Sequence, residues 1–210
     1  MGDASLHESA LVAADRIRRL EVQGARNVAI TAIKAIEVGA KRSKARGKEA
    51  FLKELSDAKE VLFASRETEP LMRNAIRHIV HAVEKSDEES VRELVDVVSQ
   101  VSSQFLESLE RSKEKIAAVG SKRVSHLSKV LTHCHSSTVT NMLLRAKLEG
   151  KSFEVFCTES RPVFQGRITA KEMLDAGIET TLIVDSAVRY FMNDVDLVVV
   201  GADAITSGDN

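Results

Sequence analysis

The spacing of apolar residues changes once along this chain, near Gly120, and that change limits the folds open to it. Before it, apolar side chains recur every three or four residues: Leu6, Ala10, Ala13, Ile17 and Leu20, then Val28, Ala32, Ile33 and Ile36. That is the period of amphipathic helices. Gly39 and the basic run 41–48 (KRSKARGK) interrupt the pattern, and further helices are expected over 49–63 and from Pro70, whose ring suits a first helical turn. Ser86 with Glu89 has capping-box spacing and is expected to open a long helix carrying Val91, Leu94, Val98, Phe105 and Ile116 to a stop at Gly120. From Lys122 short β-rich runs alternate with helical patterns. The expected strands are 129–133, 153–158, 180–185 and 195–200, with helices over 137–149, 169–175 and 187–192. Such alternation implies a parallel sheet with helices on both faces. The expectation is an α/β chain: a helical domain over 1–120 and a Rossmann-like parallel-sheet domain over 121–210. With four strands and a polar ending, TSGDN, that second domain reads as C-terminally truncated.

Composition narrows the function classes. Charged residues make up 29% of the 210 and apolar residues 43%, a globular balance. Acidic and basic residues number 31 and 30, so net charge provides no long-range pull toward nucleic acid or an anionic membrane. No direct nucleic-acid contact and no membrane association are expected. The basic run 41–48 lacks aromatics for base stacking and reads as a solvated loop. Cys134 and Cys157 lack paired spacing, residues 1–10 lack a basic start followed by an apolar run, and a reducing cytoplasmic setting follows.

Ligands of open parallel sheets bind beyond the carboxyl ends of the strands. The expected ends bring up Cys134 with Ser136 and Ser137; Glu159 and Arg161, with Gln165 and Arg167 beyond; Asp185; and Asp203 after Gly201. Ser136 or Ser137 is expected to cap the following helix, leaving N–H groups that favour a thiolate and attract phosphate. His133 and His135 flank the cysteine, but strand alternation would put them on the face opposite its thiol, so no metal site is expected. Cys157, inside a strand, reads as inert core. A thiol and a carboxyl suit proton shuttling in an aldose–ketose isomerisation.

HCHSS at 133–137, TESRPVFQGRITAKEM at 158–173, IVDSAV at 183–188 and VDLVVVGADAI at 195–205 resemble the initiation factor 2B-related superfamily. This includes the regulatory subunits of translation initiation factor 2B, their archaeal relatives, ribose-1,5-bisphosphate isomerase and methylthioribose-1-phosphate isomerase. The resemblance implies a helical domain before a Rossmann-like one, a homo-oligomer (dimer or hexamer) and no cofactor. In the isomerase branch the cysteine and the aspartate of G-A-D are catalytic, which maps those roles onto Cys134 and Asp203. Phosphate contacts are implied for Gln23, Gly24, Ala25, Arg26, Arg66, Ser136, Ser137, Arg161 and Gln165.

Two stretches depart from the isomerase pattern. Gln23-Gly24-Ala25 stands where the isomerases usually have R-G-A, and Arg66-Glu67-Thr68 where they have R-P-T. Gln lacks the charged fork of Arg. The leading expectation is therefore an archaeal initiation-factor-2B-like regulatory protein that binds a phosphorylated sugar or nucleotide, with initiation factor 2 as a candidate partner. The alternative is a ribose-1,5-bisphosphate isomerase. Little activity is expected of the 210 residues alone, since the family continues into an Asn-Lys pair that helps complete the pocket.

Overall fold

The computed structural model describes residues 5–205; the polar ending at 206–210 lies outside that range. Five helices come first: α1 Leu6–Arg18, α2 Ala25–Ala40, α3 Lys48–Ser65, α4 Pro70–Lys85 and α5 Val91–Gly120. Local signals set their ends. Ser5 Oγ accepts the Glu8 N–H at 3.3 Å to cap α1, and Pro70 opens α4. Gly24, at φ 81°, takes the left-handed turn into α2. Ser86 does not open α5. It terminates α4, its Oγ accepts the Glu88 N–H, and α5 starts only at Val91, with the Ser90 carbonyl taking the Leu94 N–H. The capping-box spacing is thus absorbed in the connection between two helices.

The packing follows the apolar stripes. Leu6, Ala10 and Ile17 of α1, Val28, Ala32, Ile33 and Ile36 of α2, Phe51, Leu55 and Leu62 of α3, Met72, Ile76 and Ile79 of α4, and Leu94 and Val98 of α5 form one continuous core. Small residues let α1 and α2 approach closely. A Cβ on Gly39 would stand 2.6 Å from Leu6 Cα, so only glycine fits there.

The second part is a parallel sheet in the order β3-β2-β1-β4, built from β1 Ser128–Thr132, β2 Phe153–Thr158, β3 Glu179–Ile183 and β4 Leu197–Val198. The intervening helices are α6 Ser137–Leu148, α7 Gly166–Asp175 and the short α8 Val188–Phe191. Side chains alternate across the strands. Val130, Val155 and Cys157 pack with Val139, Met142, Leu143 and Met173 of α6 and α7, whereas Leu131, Phe156 and Ile183 meet Val188, Phe191 and Val195 on the other face. Both faces therefore carry apolar contacts, as the alternating pattern requires. The fourth strand is shorter than its apolar run: only Leu197–Val198 pairs, with β1, and Val200 is exposed. An apolar run becomes strand only where a neighbour offers backbone partners.

Contacts divide the described residues into two compact units. One runs to Ser108 and takes in the segment from Asp203; the other is Leu109–Ala202. The change of secondary structure falls at the end of α5, whereas the division by compactness falls within that helix. Among the described residues no helix is long and apolar enough to cross a membrane.

Candidate functional site

Cys134 lies two residues beyond β1 in left-handed backbone, φ 66°, an uncommon conformation for a residue with a side chain. Three bonds hold it there. Its N–H donates to Ser160 Oγ at 2.7 Å, its carbonyl accepts from Thr169 Oγ1 at 2.9 Å, and its thiol donates to Gln165 Oε1 at 3.0 Å. The half-buried thiol is thus aimed by residues from the loop after β2 and from α7. This backbone also overturns the alternation argument for the histidines, since β1 ends at Thr132 and residue 134 is not extended. The two rings nevertheless have separate partners: His133 Nδ1 meets Thr158 Oγ1 at 2.6 Å and His135 Nδ1 meets Thr169 Oγ1 at 3.1 Å.

Two glycines make this corner possible. A Cβ on Gly166 would lie 1.6 Å from the Thr158 carbonyl oxygen, so only glycine lets α7 begin against the end of β2 with Gln165 beside the thiol. A Cβ on Gly201 would lie 2.5 Å from Ser136 Oγ; the glycine of G-A-D admits the serine side chain. Neither steric role is legible from a glycine in sequence. Ser136 stands at the N-cap position of α6 and Ser137 at its first residue, but the Ser136 side chain makes no capping bond. The expected cap is corrected: the Ser136 hydroxyl is packed against Gly201 instead.

Asp185 organises the loop behind Ser160. Its carboxylate accepts the N–H groups of Ser160 and Arg161, both at 2.8 Å, and these bonds hold its pKa below the ordinary aspartate value. Asp185 thus braces Ser160, which braces Cys134, a relay that runs through space and is invisible to motif reading. Glu159, buried at 7% exposure, accepts from Arg161 Nε at 2.9 Å and lies 3.7 Å from Arg167. With Val184 and Ser186, Glu159, Arg161 and Asp185 line a cavity of about 380 Å³ at the ends of β2 and β3. Cys134 is not among its lining residues, and the bonds that aim the thiol mark the candidate site better than this cavity does. Burial pushes the Cys157 thiol up to about 12, so it is an unreactive core residue.

The other expected residues lie in the helical unit. Gln23, Gly24, Ala25 and Arg26 form the turn into α2, with Gln23 Nε2 donating to the Leu20 carbonyl at 3.0 Å. Arg66 ends α3, and its Nε pairs with Glu69 Oε1 at 3.0 Å. Glu69 was not singled out by sequence, yet it is 2% exposed and its second carboxylate oxygen is buried without a hydrogen-bond partner. Burial first, then the charge of Asp203, raises its pKa above the ordinary glutamate value, against the opposing pull of Arg66. The sheet unit therefore gathers Cys134, Ser136, Ser137, Arg161 and Gln165, and the helical unit gathers residues 23–26, Arg66 and Asp203.

Comparison with known proteins decides the family. The signature of the Initiation factor 2 subunit family matches residues 21–209. The chain belongs to this family. It is 41% identical over 200 residues to ribose 1,5-bisphosphate isomerase of Archaeoglobus fulgidus, covering 95% of this chain and 62% of that protein. The isomerase of the same name from Thermococcus kodakarensis is 36% identical over 195 residues, 92% of this chain and 61% of the relative. The chain thus spans less than two thirds of the length of the curated relatives it matches. Among solved structures, 5-methylthioribose 1-phosphate isomerase from Pyrococcus horikoshii OT3 superposes with a TM-score of 0.80 at 27% identity, covering 93% of this chain and 58% of that one. Translation initiation factor eIF-2B from the same organism superposes with a TM-score of 0.81 at 24% identity, 93% of this chain and 66% of that one, a likeness of fold.

Proposed function

We propose that this protein works as a ribose-1,5-bisphosphate isomerase, converting that aldose phosphate to ribulose 1,5-bisphosphate. The observation that carries this is the Cys134 thiol, fixed at the end of β1 by Ser160, Thr169 and Gln165 in a chain 41% identical to an isomerase of that name. Relatives at 34–41% identity bear the name of this isomerase, which favours the alternative drawn from sequence over the regulatory reading that Gln23 and Arg66-Glu67-Thr68 suggest.

The reaction neither gains nor loses atoms. The hydrogen on C2 leaves, C1 gains one, the bond from C1 to the ring oxygen opens, and the C2 hydroxyl becomes the ketone. Cys134 takes the carbon-bound proton from C2 and returns a proton to C1, and Asp203 handles the proton on oxygen. Gln165 orients the thiol. Gln23–Arg26, Arg66, Ser136, Ser137 and Arg161 are the proposed phosphate contacts, with helix N-termini and guanidinium groups as the anion-binding chemistry.

The test is conversion of ribose 1,5-bisphosphate by the longest reading frame that contains these residues. Turnover is expected, falling by about 10²-fold or more in Cys134→Ser and in Asp203→Asn. No turnover by the unsubstituted protein overturns the proposal, and association with initiation factor 2 would then restore the regulatory one.

A further inference from the structure

The misfit in the helical unit is Glu69. A carboxyl 2% exposed, with one oxygen buried and unpartnered, is unusual in a unit whose other buried polar side chains, among the described residues, are the small hydroxyls of Ser65 and Ser102. Its other oxygen holds Arg66 Nε at 3.0 Å. The Arg66 side chain is 34% exposed and makes no other ion pair among the described residues. Arg66 ends α3 and Glu69 stands at the N-cap of α4, a sixteen-residue helix whose N-terminal N–H groups favour anions.

We propose that Glu69 is a positioning residue for Arg66 and that an anionic phosphate group at Arg66 binds together with a proton taken up by Glu69. This rests on the reading of Arg66 as a phosphate contact. Ionised Glu69 and Arg66 are a neutral pair with little attraction for a dianion. When Glu69 carries a proton, the pair has a full positive charge, and the unpartnered oxygen no longer holds a buried negative charge. The charged groups acting on Glu69 are Arg66, from the end of α3, and Asp203, from the segment after β4. Within its own turn, Arg73 Nε donates to the Glu67 carbonyl at 3.0 Å. Asp203 and a bound anion both favour the protonated acid. Linkage makes the effect reciprocal: an anion raises the proton affinity of Glu69, and the proton raises anion affinity by the same factor.

A titrating Glu69 acts differently from a fixed negative charge beside Arg66. Repulsion by a fixed charge would lower affinity at every pH, whereas a titrating carboxyl makes affinity depend on pH and leaves binding intact on the acid side.

Sulfate is the probe, because it does not itself titrate between pH 5 and 8. Its binding to the longest reading frame is measured by calorimetry across that range, in two buffers of different ionisation enthalpy to count protons. In the unsubstituted protein affinity is expected to rise on acidification, by at most about tenfold per pH unit, with net proton uptake. Glu69→Gln keeps the shape and an acceptor for Arg66 Nε; it should bind sulfate with the pH dependence and proton uptake lost. Glu69→Ala also releases Arg66 and should bind more weakly than Glu69→Gln. Proton uptake unchanged in Glu69→Gln, or no sulfate binding by the unsubstituted protein at any pH, overturns the proposal. Linked uptake in a protein without isomerase turnover would leave this inference standing and remove the proposed reaction.

Discussion

The helical unit and the sheet unit bury different kinds of side chain. Among the described residues of the helical unit the buried polar side chains are Ser65, Glu69 and Ser102, set in an apolar core drawn from all five helices. In the sheet unit Thr132, Thr158, Glu159, Ser160 and Thr169 are buried at or beyond the ends of β1 and β2. The reason is where backbone hydrogen bonds are made. A helix satisfies its own interior peptide groups, so its buried stripe is free to be apolar. A parallel strand loses its ladder partners where it ends, and the loops there need side-chain donors and acceptors. Those same groups fix Cys134, so the chemistry gathers where the backbone is least self-sufficient.

The largest expected effect tests that contrast directly. Phe51 is fully buried within the helical core, whereas Phe156 belongs to the small cluster with Leu131 and Ile183 and leans on half-exposed neighbours such as Phe191. Phe51→Ala should lower the unfolding free energy by about 3–5 kcal/mol, measured by urea denaturation. Phe156→Ala should cost clearly less, because its surroundings already meet water. Equal costs would mean that this face of the sheet is as well covered as the helical core, and the contrast would fail.

A smaller effect is expected at the sheet's polar corner. Gly166→Ala sets a methyl group 1.6 Å from the Thr158 carbonyl oxygen, so α7 must shift, at a cost of about 1–3 kcal/mol. The shift also moves Gln165 off the Cys134 thiol. The native labelling rate with iodoacetamide should therefore change several-fold, while the similarly small Ala170→Gly, on the same helix, should leave that rate near normal. The Cys157 thiol, with its pKa pushed up to about 12, adds no background until the protein is denatured. An unaltered rate in Gly166→Ala would show that Gln165 does not position the thiol.

The main elements were readable because they depend on local periodicity. The stripe from Val28 to Ile36 and the run from Phe153 to Thr158 each carry a repeat that fits one kind of structure, and each forms it. The failures occur where a partner decides. The apolar run 195–200 looks like a full strand, but β4 pairs with β1 over Leu197–Val198, its bonds to β1 end with the Asp196 and Val199 N–H groups on the Lys129 and Leu131 carbonyls, and Val200 is exposed. Ser86 has the spacing of a cap, yet α4 continues up to it and uses that position for its own end. In the candidate site, Cys134 stood out by residue type and position. The Ser160–Asp185 brace and the Thr169 bond did not, because they join residues 25 to 35 positions apart. Glu69 escaped notice for a different reason: a glutamate before a proline looks like solvent-facing helix punctuation, and only burial makes it exceptional.

Glu69 also supplies the smallest of these effects and the most selective check on the helical unit. Its pKa is raised in the folded protein, so the folded state holds the proton more tightly than the unfolded chain does. Below the ordinary glutamate value both states are protonated and Glu69 exacts no electrostatic cost. As the pH climbs through the raised folded value the acid ionises inside the core, and stability falls. Glu69→Gln has no such titration. Its melting temperature should match that of the unsubstituted protein in the acid range and exceed it by a small margin at pH 8, a difference that widens only across the titration. A margin independent of pH would assign the effect to packing or to the Arg66 bond. A margin of opposite sign at pH 8 would mean that Arg66 stabilises the ionised carboxylate more than burial and Asp203 oppose it, and the helical core would then contain a favourable ion pair where burial implies a misfit.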